Sequence, residues 1–329
     1  MQRVLIQGAG VAGLTAALEM RRRGFAVEII EKGPAAGLGA SHYAGGMLAP
    51  YCERESADEA VIKLGRNAAD WWAAELPGEV HRNGTLVVAQ PRDLPELERF
   101  AARTRGFRRI EGPEIAALEP ALAGRFERAL FFEDEAHLDP RKALTGLVAK
   151  LRAQGVIFHF EAHEVPIGEI YDAVIDCRGP AVIADLPQLR GVRGEMLYLH
   201  CRDLTLSRPV RMLHPRHPIY IVPREDHRFM VGATMIESED DGPITARSMM
   251  EFLNAAYALH PSFGEARILE TGTGVRPAFQ DNLPRVAKTA AGFFVGGMYR
   301  HGFLLAPALA QEAADRLTRR FHKSERLTA

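Results

Sequence analysis

Val4-Leu5-Ile6-Gln7-Gly8-Ala9-Gly10-Val11-Ala12-Gly13, answered by Glu31 and Lys32, decides how this chain is read. Residues 4–7 are an apolar run of strand size, residues 11–23 carry Val11, Leu14, Ala17 and Leu18 at helical spacing, and residues 26–30 are a second apolar strand. Strand, helix and strand within about thirty residues make a βαβ unit. Each glycine of the turn has a physical task. Gly8 permits the tight turn, Gly10 lets the backbone approach a pyrophosphate, and Gly13 lets helix and strand pack closely. The helix N-terminus at Val11 and Ala12 offers unpaired N–H groups to phosphates. Glu31 ends the second strand near the ~20-residue offset at which a carboxylate accepts hydrogen bonds from ribose hydroxyls. A bare GxGxxG is a weak signal. With strand, helix and acid in place it predicts a dinucleotide-binding turn, whereas a plain βαβ turn leaves Glu31 unexplained.

The bulk properties narrow the class. A chain of 329 residues exceeds the usual size of a single core, which predicts two domains or one domain with a large insertion. Its 41 basic and 42 acidic residues leave a net charge of −1 without a long basic block, which argues against nucleic acid as a partner. Gly8, Gly10, Gly13 and Glu19 interrupt the N-terminal apolar stretch before it reaches membrane-spanning or signal-peptide length, so no membrane partner and a cytoplasmic location are expected. Cys52, Cys177 and Cys201 have no CxxC or Cys/His ligand spacing. They are expected to be buried or incidental thiols in a reducing compartment, with no structural metal.

Working outward, residues 56–76 read as a helix whose Trp71 and Trp72 pack rather than touch a ligand, and Asn83-Gly84 precedes a strand at 85–89. Residues 94–118 read as surface helices broken at Gly106 and Gly112-Pro113. Asp139-Pro140 is N-cap plus first turn of a helix to 154, followed by a strand at 156–160. A third apolar strand, 173–177, stops at Arg178-Gly179-Pro180. Runs 195–201, 209–213, 219–223 and 228–233 are strand-sized and predict one antiparallel sheet; 249–259 is helical, and a strand at 293–297 leads into a helix over 302–321. The His214/His217 pair lies in a proline-rich turn and reads as a loop. The expected fold class is α/β (α+β overall). A Rossmann-like nucleotide-binding domain takes residues 1–80, 136–192 and 270–329, and a substrate domain with a mostly antiparallel β-sheet takes 81–135 and 193–269, both discontinuous in sequence.

A nicotinamide dehydrogenase keeps its doubly wound run going, but here the sixty or so residues after Glu31 leave it. Gly39-Ala40-Ser41-His42-Tyr43-Ala44-Gly45-Gly46-Met47-Leu48-Ala49-Pro50 is small, glycine-rich and nearly uncharged, as a backbone lying against a flat ring system needs to be. On composition alone a flexible loop is the alternative.

Taken together, the GAGVAG turn with Glu31-Lys32, the segment 40–50, Ile219-Tyr220-Ile221-Val222-Pro223-Arg224 followed by Gly232-Ala233-Thr234-Met235, Gly274-Val275-Arg276-Pro277, and the stretch from Gly297 to Pro307 form a pattern. It resembles the D-amino-acid oxidase family of flavoproteins, and within it the glycine oxidases of the thiamine pathway. The motifs span nearly the whole chain in family order; the first is shared by many flavoproteins and the last two are far more specific.

The resemblance implies FAD, held by Gly8, Gly10, Val11, Ala12, Gly13, Glu31, Lys32, Ser41, Ala44, Gly45, Gly46, Met47, Val165, Gly179, His301, Gly302, Phe303 and Leu304. No cysteine lies near the C-terminal motifs, where a covalent tether would form, so non-covalent FAD is expected. The implied activity is oxidation of glycine or a similarly small amino acid by hydride transfer to flavin, with O2 reoxidising it to give hydrogen peroxide. Arg276 matches the carboxylate-binding arginine, Tyr220 a tyrosine that gives the same carboxylate a hydroxyl, Arg300 a second active-site arginine, and Met235 a side chain bordering the substrate pocket. A guanidinium suits an α-carboxylate because it offers a planar two-pronged donor. On residues alone, Arg276 before Pro277 also fits a surface turn, and Tyr220 in an alternating strand also fits the core. The resemblance further implies a homo-oligomer, with a tetramer among its forms. Two departures stand out: Pro218 replaces a histidine of the glycine oxidase pattern, and Cys177-Arg178-Gly179-Pro180 replaces an alanine-rich stretch at the adenosine. Two alternatives stay open at this point, a D-amino-acid or sarcosine dehydrogenase using an acceptor other than O2, and a flavin electron-carrier subunit.

Overall fold

The structure is a computed structural model describing residues 1–162 and 170–328. The expected βαβ unit forms from strand Arg3–Gln7, helix Val11–Arg22 and strand Ala26–Glu31. The two strands are parallel, from Arg3 opposite Ala26 to Gln7 opposite Ile30. Gly8 has φ +98°, a left-handed backbone that a Cβ disfavours. A Cβ on Gly13 would lie 1.9 Å from the Gly8 carbonyl oxygen, so only glycine lets the helix come this close to the strand. Around this unit grows a six-stranded sheet in the order Arg285–Lys288, Gly292–Gly296, Ala173–Asp176, Arg3–Gln7, Ala26–Glu31, Ile157–Phe160. Every neighbouring pair is parallel except the hairpin at the first edge.

Helix Pro140–Ala153 starts where proline and an N-cap aspartate place it: Asp139 Oδ1 accepts the Arg141 N–H at 2.9 Å. The long helix Gly302–Thr328 packs on Val11–Arg22, with Leu14, Ala17, Leu18, Leu305, Leu309 and Ala313 in one buried cluster. Pro307 sits inside it and has no N–H to give the Phe303 carbonyl. Trp72 fills that gap, its Nε1–H donating to the Phe303 oxygen at 2.8 Å, while Trp71 Nε1 donates to Glu19 Oε1 at 2.8 Å. Both tryptophans are buried packing residues, as expected. Their region is two helices rather than one, Glu59–Gly65 and Ala68–Glu75. Gly65 ends the first, where a Cβ would meet the Leu304 side chain at 2.6 Å.

The second sheet has nine strands, and its path runs Ile236–Glu237, Leu189–His200, Arg228–Gly232, Ile219–Pro223, Val210–Leu213, Thr85–Ala89, Arg128–Phe132, Arg108–Glu111. Arg267–Phe279 pairs along the whole of Leu189–His200. The sheet is antiparallel as expected apart from one pair: Val210–Leu213 runs parallel to Thr85–Ala89, joined by the long crossover that parallel neighbours require. Strands Arg108–Glu111, Arg128–Phe132, Arg267–Phe279 and Arg285–Lys288 were not expected from sequence, and the domain boundaries expected at 193 and 270 fall inside strands that pair with each other.

Alternation along these strands separates two faces. Leu197, Leu199, Ile219, Ile221, Phe229 and Val231 pack against Phe252, Ala256 and Leu259 of helix Ala246–Leu259. Met196, Tyr198, Val222 and Met230, with Tyr220 against them, cluster on the opposite face. No helix among the described residues is long and apolar enough to cross a membrane. All three cysteines are free and buried.

Candidate active site

A cleft of about 1060 Å³ lies between the two sheets and reaches both the glycine turn and the face of the nine-stranded sheet that carries Met196 and Tyr220. It is larger than most drug-sized pockets, which span roughly 300–1,000 Å³. Its walls bring together residues expected from six separated stretches. Gly8, Gly10, Val11, Ala12, Glu31 and Lys32 come from the βαβ unit, Ser41, Ala44, Gly45, Gly46 and Met47 from the small-residue segment, and Gly179 from the turn after Ala173–Asp176. Tyr220, Met235, Arg276, Arg300, His301, Gly302, Phe303 and Leu304 complete it. Gly13 lies behind the wall, between helix and strand. Val165 lies outside the described residues.

On the nucleotide side, helix Val11–Arg22 has Gly10 as N-cap with no capping side chain of its own. Ser41 Oγ comes across to accept the Val11 N–H at 3.1 Å. The first turn of helix Gly302–Thr328 meets it, since a Cβ on Gly302 would lie 3.3 Å from Val11 Cγ1. Two helix N-termini therefore converge on the cleft, each contributing partial positive charge. Glu31 is held in place by two backbone donors, Ala9 N–H to Oε2 at 2.8 Å and Gly33 N–H to Oε1 at 2.9 Å. Each carboxylate oxygen keeps a lone pair for a ligand hydroxyl. This donor set suits a pyrophosphate and ribose, and so fits FAD. The departing stretch Cys177-Arg178-Gly179-Pro180 roofs the glycine turn: a Cβ on Gly8 would sit 2.5 Å from the Cys177 carbonyl oxygen. Arg178, also part of the cleft lining, is anchored by Asp176 Oδ2 and Asp185 Oδ2, both at 2.8 Å.

On the sheet side, Tyr220 stands opposite Arg211 in one ladder and opposite Gly232 in the next. Gly45 makes room for its ring, because a Cβ there would lie 2.7 Å from Tyr220 Cε2. Burial raises the Tyr220 hydroxyl above its usual value, so it is a neutral donor at pH 7. Arg276 lies over Gly194, where a Cβ would fall 2.0 Å from Nη2. It donates from Nη1 to the Thr234 carbonyl at 3.0 Å, and no described carboxylate lies within ion-pair reach of it. Burial pushes its pKa down, yet a guanidinium remains charged. A buried, charged, planar donor without an anion is the chief electrostatic demand of this site.

Sequence reasoning missed the side chain that organises the rest. Glu53, on the one-turn helix Pro50–Glu53, is buried in the wall and binds Arg211. Its Oε2 also lies 2.6 Å from Arg300 Nη2 and 3.3 Å from His301 Nδ1. Burial opposes its ionisation, but Arg211 and Arg300 outweigh that and hold the carboxyl well below the usual range. Arg300 is therefore already paired; it donates also to Ser56 Oγ at 2.8 Å and to Met235 Sδ at 3.1 Å. His301 is driven down to about 4 by burial and is neutral at pH 7. A charged residue inside the apolar strand Val210–Leu213 was the available signal for Arg211; Glu53 offered none beyond its place after an apolar run. His214 and His217 stack 5.5 Å apart in the loop between two strands, with His217 Nδ1 3.2 Å from Glu251 Oε2.

Comparison with known proteins decides the cofactor. The sequence profile of the FAD dependent oxidoreductase family, DAO, matches residues 3–316. The chain belongs to this family. It is 61% identical over 321 residues to the candidate thiamine biosynthesis oxidoreductase ThiO of Rhizobium etli, covering 96% of each chain. It is 26% identical to glycine oxidase of Pseudomonas aeruginosa, over 97% of this chain and 95% of that one. The crystal structure of glycine oxidase from Geobacillus kaustophilus has the same fold, with a TM-score of 0.79 at 22% identity over 96% of this chain and 95% of that one. The enzyme is thus an FAD-dependent oxidoreductase related to ThiO and glycine oxidase, and the expected mixed α/β fold with a Rossmann-like FAD-binding part is the one observed.

Proposed function

We propose that the enzyme oxidises glycine or a similarly small amine or amino acid, giving an imine that hydrolyses to glyoxylate and ammonia or feeds thiazole synthesis. The observation that carries this reading is the unpaired Arg276 guanidinium beside the Tyr220 hydroxyl in the same cleft as the glycine turn. Together they offer an α-carboxylate a two-pronged charged donor and a neutral one. The relation to ThiO and glycine oxidase supports the same chemistry. In this reading the βαβ unit, Ser41, the 44–47 backbone, Gly179 and the 301–304 turn hold FAD without a covalent bond.

When bound, FAD would supply a two-electron acceptor for the substrate's hydride and a route for those electrons to O2, which with two protons would give hydrogen peroxide. The chain's own residues bind, orient and set charge. The cleft lining also carries Glu55, Glu195, Glu239 and Asp241, but at the Tyr220 end the guanidiniums of Arg211, Arg276 and Arg300 interact with the Glu53 carboxylate. That positive surplus disfavours an ammonium and favours the neutral amine. Glycine then loses a hydride from Cα and a proton from nitrogen without a strong protein base, consistent with a neutral His301 and a neutral Tyr220. A carrier subunit has no need of such a carboxylate clamp. Two measurements test the proposal. Purified yellow enzyme bleaches on anaerobic addition of glycine and releases peroxide in air; Arg276→Ala keeps its flavin and loses the bleaching. Unchanged bleaching in that variant removes the assigned role, and bleaching without peroxide in air points to a dehydrogenase.

A further inference from the structure

We infer that Glu53 is a specificity-determining residue: its carboxylate fills a two-guanidinium anion socket in the substrate cleft and so holds the site to substrates with a single carboxylate. This rests on the amino-acid reading of the cleft given above. Arg211 arrives from strand Val210–Leu213 and Arg300 from the turn before helix Gly302–Thr328, and both converge on Glu53. Two guanidiniums from separate elements aimed at one point are the usual means of holding an anion. Here a protein side chain occupies the position.

The socket has more donors than one carboxylate uses. Arg211 Nε and Arg300 Nε are buried with no hydrogen-bond partner among the described residues, and Glu53 Oε2, though in ion contact with Arg300, has none either. Arg300 Nη1 ends on the Met235 thioether sulfur at 3.1 Å, a weak acceptor. The cleft is also longer than glycine requires. Its lining also includes Arg211, Leu213, Pro218 and Phe100. A substrate arm with a second carboxylate therefore finds space and cations there, but meets Glu53 already in the socket. Like charge in a buried site disfavours such a substrate.

A purely structural role for Glu53 predicts a loss of activity toward every substrate when it is changed; occupation of the socket predicts a change of sign. Glu53→Gln keeps the shape and removes the charge. The experiment compares kcat/KM for iminodiacetate, which is glycine bearing a second carboxymethyl arm on nitrogen, with that for glycine in the FAD-loaded enzyme. The expected result is a rise in the iminodiacetate-to-glycine ratio of at least about tenfold, carried by a lower KM for iminodiacetate. A ratio that is unchanged or falls while glycine is still turned over overturns the inference. Should Glu53→Gln fail to fold because Arg211 is left unpaired, the double variant with Arg211→Gln removes that strain, leaves Arg300 free and is judged by the same ratio. Wild-type enzyme inert toward glycine would instead remove the amino-acid reading itself.

Discussion

Gly194→Ala moves the Arg276 guanidinium without altering it. Gly194 lies within strand Leu189–His200 opposite Gly274 and does not have a positive φ, so the backbone accepts alanine. The new methyl would fall 2.0 Å from Nη2 and 2.3 Å from Cζ of Arg276. Normal contact needs more than 3.4 Å, so the guanidinium has to retreat by more than 1 Å. It is the free end of a flexible side chain, and the fold survives the move. A misplacement of about 1 Å costs on the order of 10²-fold in rate, or about 2.7 kcal/mol. The Gly194→Ala enzyme should therefore bind FAD as the wild type does and lose about two decades in kcat/KM for glycine, read by peroxide release and by anaerobic flavin reduction. A flavin-loaded variant with wild-type kcat/KM would show that the substrate does not meet this guanidinium, and the carboxylate assignment would fall with it.

Two predictions concern stability. Trp72→Phe leaves the Phe303 carbonyl without a donor, because Pro307 cannot replace it; a loss of about 1–3 kcal/mol is expected in urea unfolding of the holoenzyme, and no loss would mean that water or backbone adjustment satisfies that oxygen. Glu135 is fully buried, accepts the Cys52 N–H at 2.7 Å through Oε1, and leaves Oε2 without a partner among the described residues. Burial raises its pKa from 4.5 to about 7. The folded state then holds this proton more tightly than the unfolded state, so stability is highest below pH 4.5 with respect to this group and declines as pH rises toward 7. The decline approaches about 3 kcal/mol. Glu135→Gln should remove that decline and be more stable than wild type at pH 8; equal pH dependence of the two in denaturant titrations refutes a neutral Glu135.

What could be read from the sequence follows how far apart the cooperating residues lie. The glycine turn and Glu31 are legible because the whole unit is local: hydrophobic spacing, three glycines and one acid within one βαβ span fix both structure and donor set. Asp139-Pro140 is legible for the same reason, since cap and first turn are neighbours. Strand Arg128–Phe132 was missed because four of its five residues are buried, which erases the alternation that marks a strand. Arg267–Phe279 was missed for the opposite reason. Its first three residues are exposed and glycines break its middle, and it becomes a strand only by pairing with Leu189–His200. That long-range pairing is what carries Arg276 across Gly194. The Glu53–Arg211 contact joins positions 158 residues apart; a charge inside an apolar strand marks Arg211, but nothing local marks Glu53 as its partner. Local pattern therefore announces the cofactor, since the backbone donors that suit its phosphates lie in one short stretch. The charge balance that we propose selects a substrate is set by side chains from separated elements, which only the finished fold brings together.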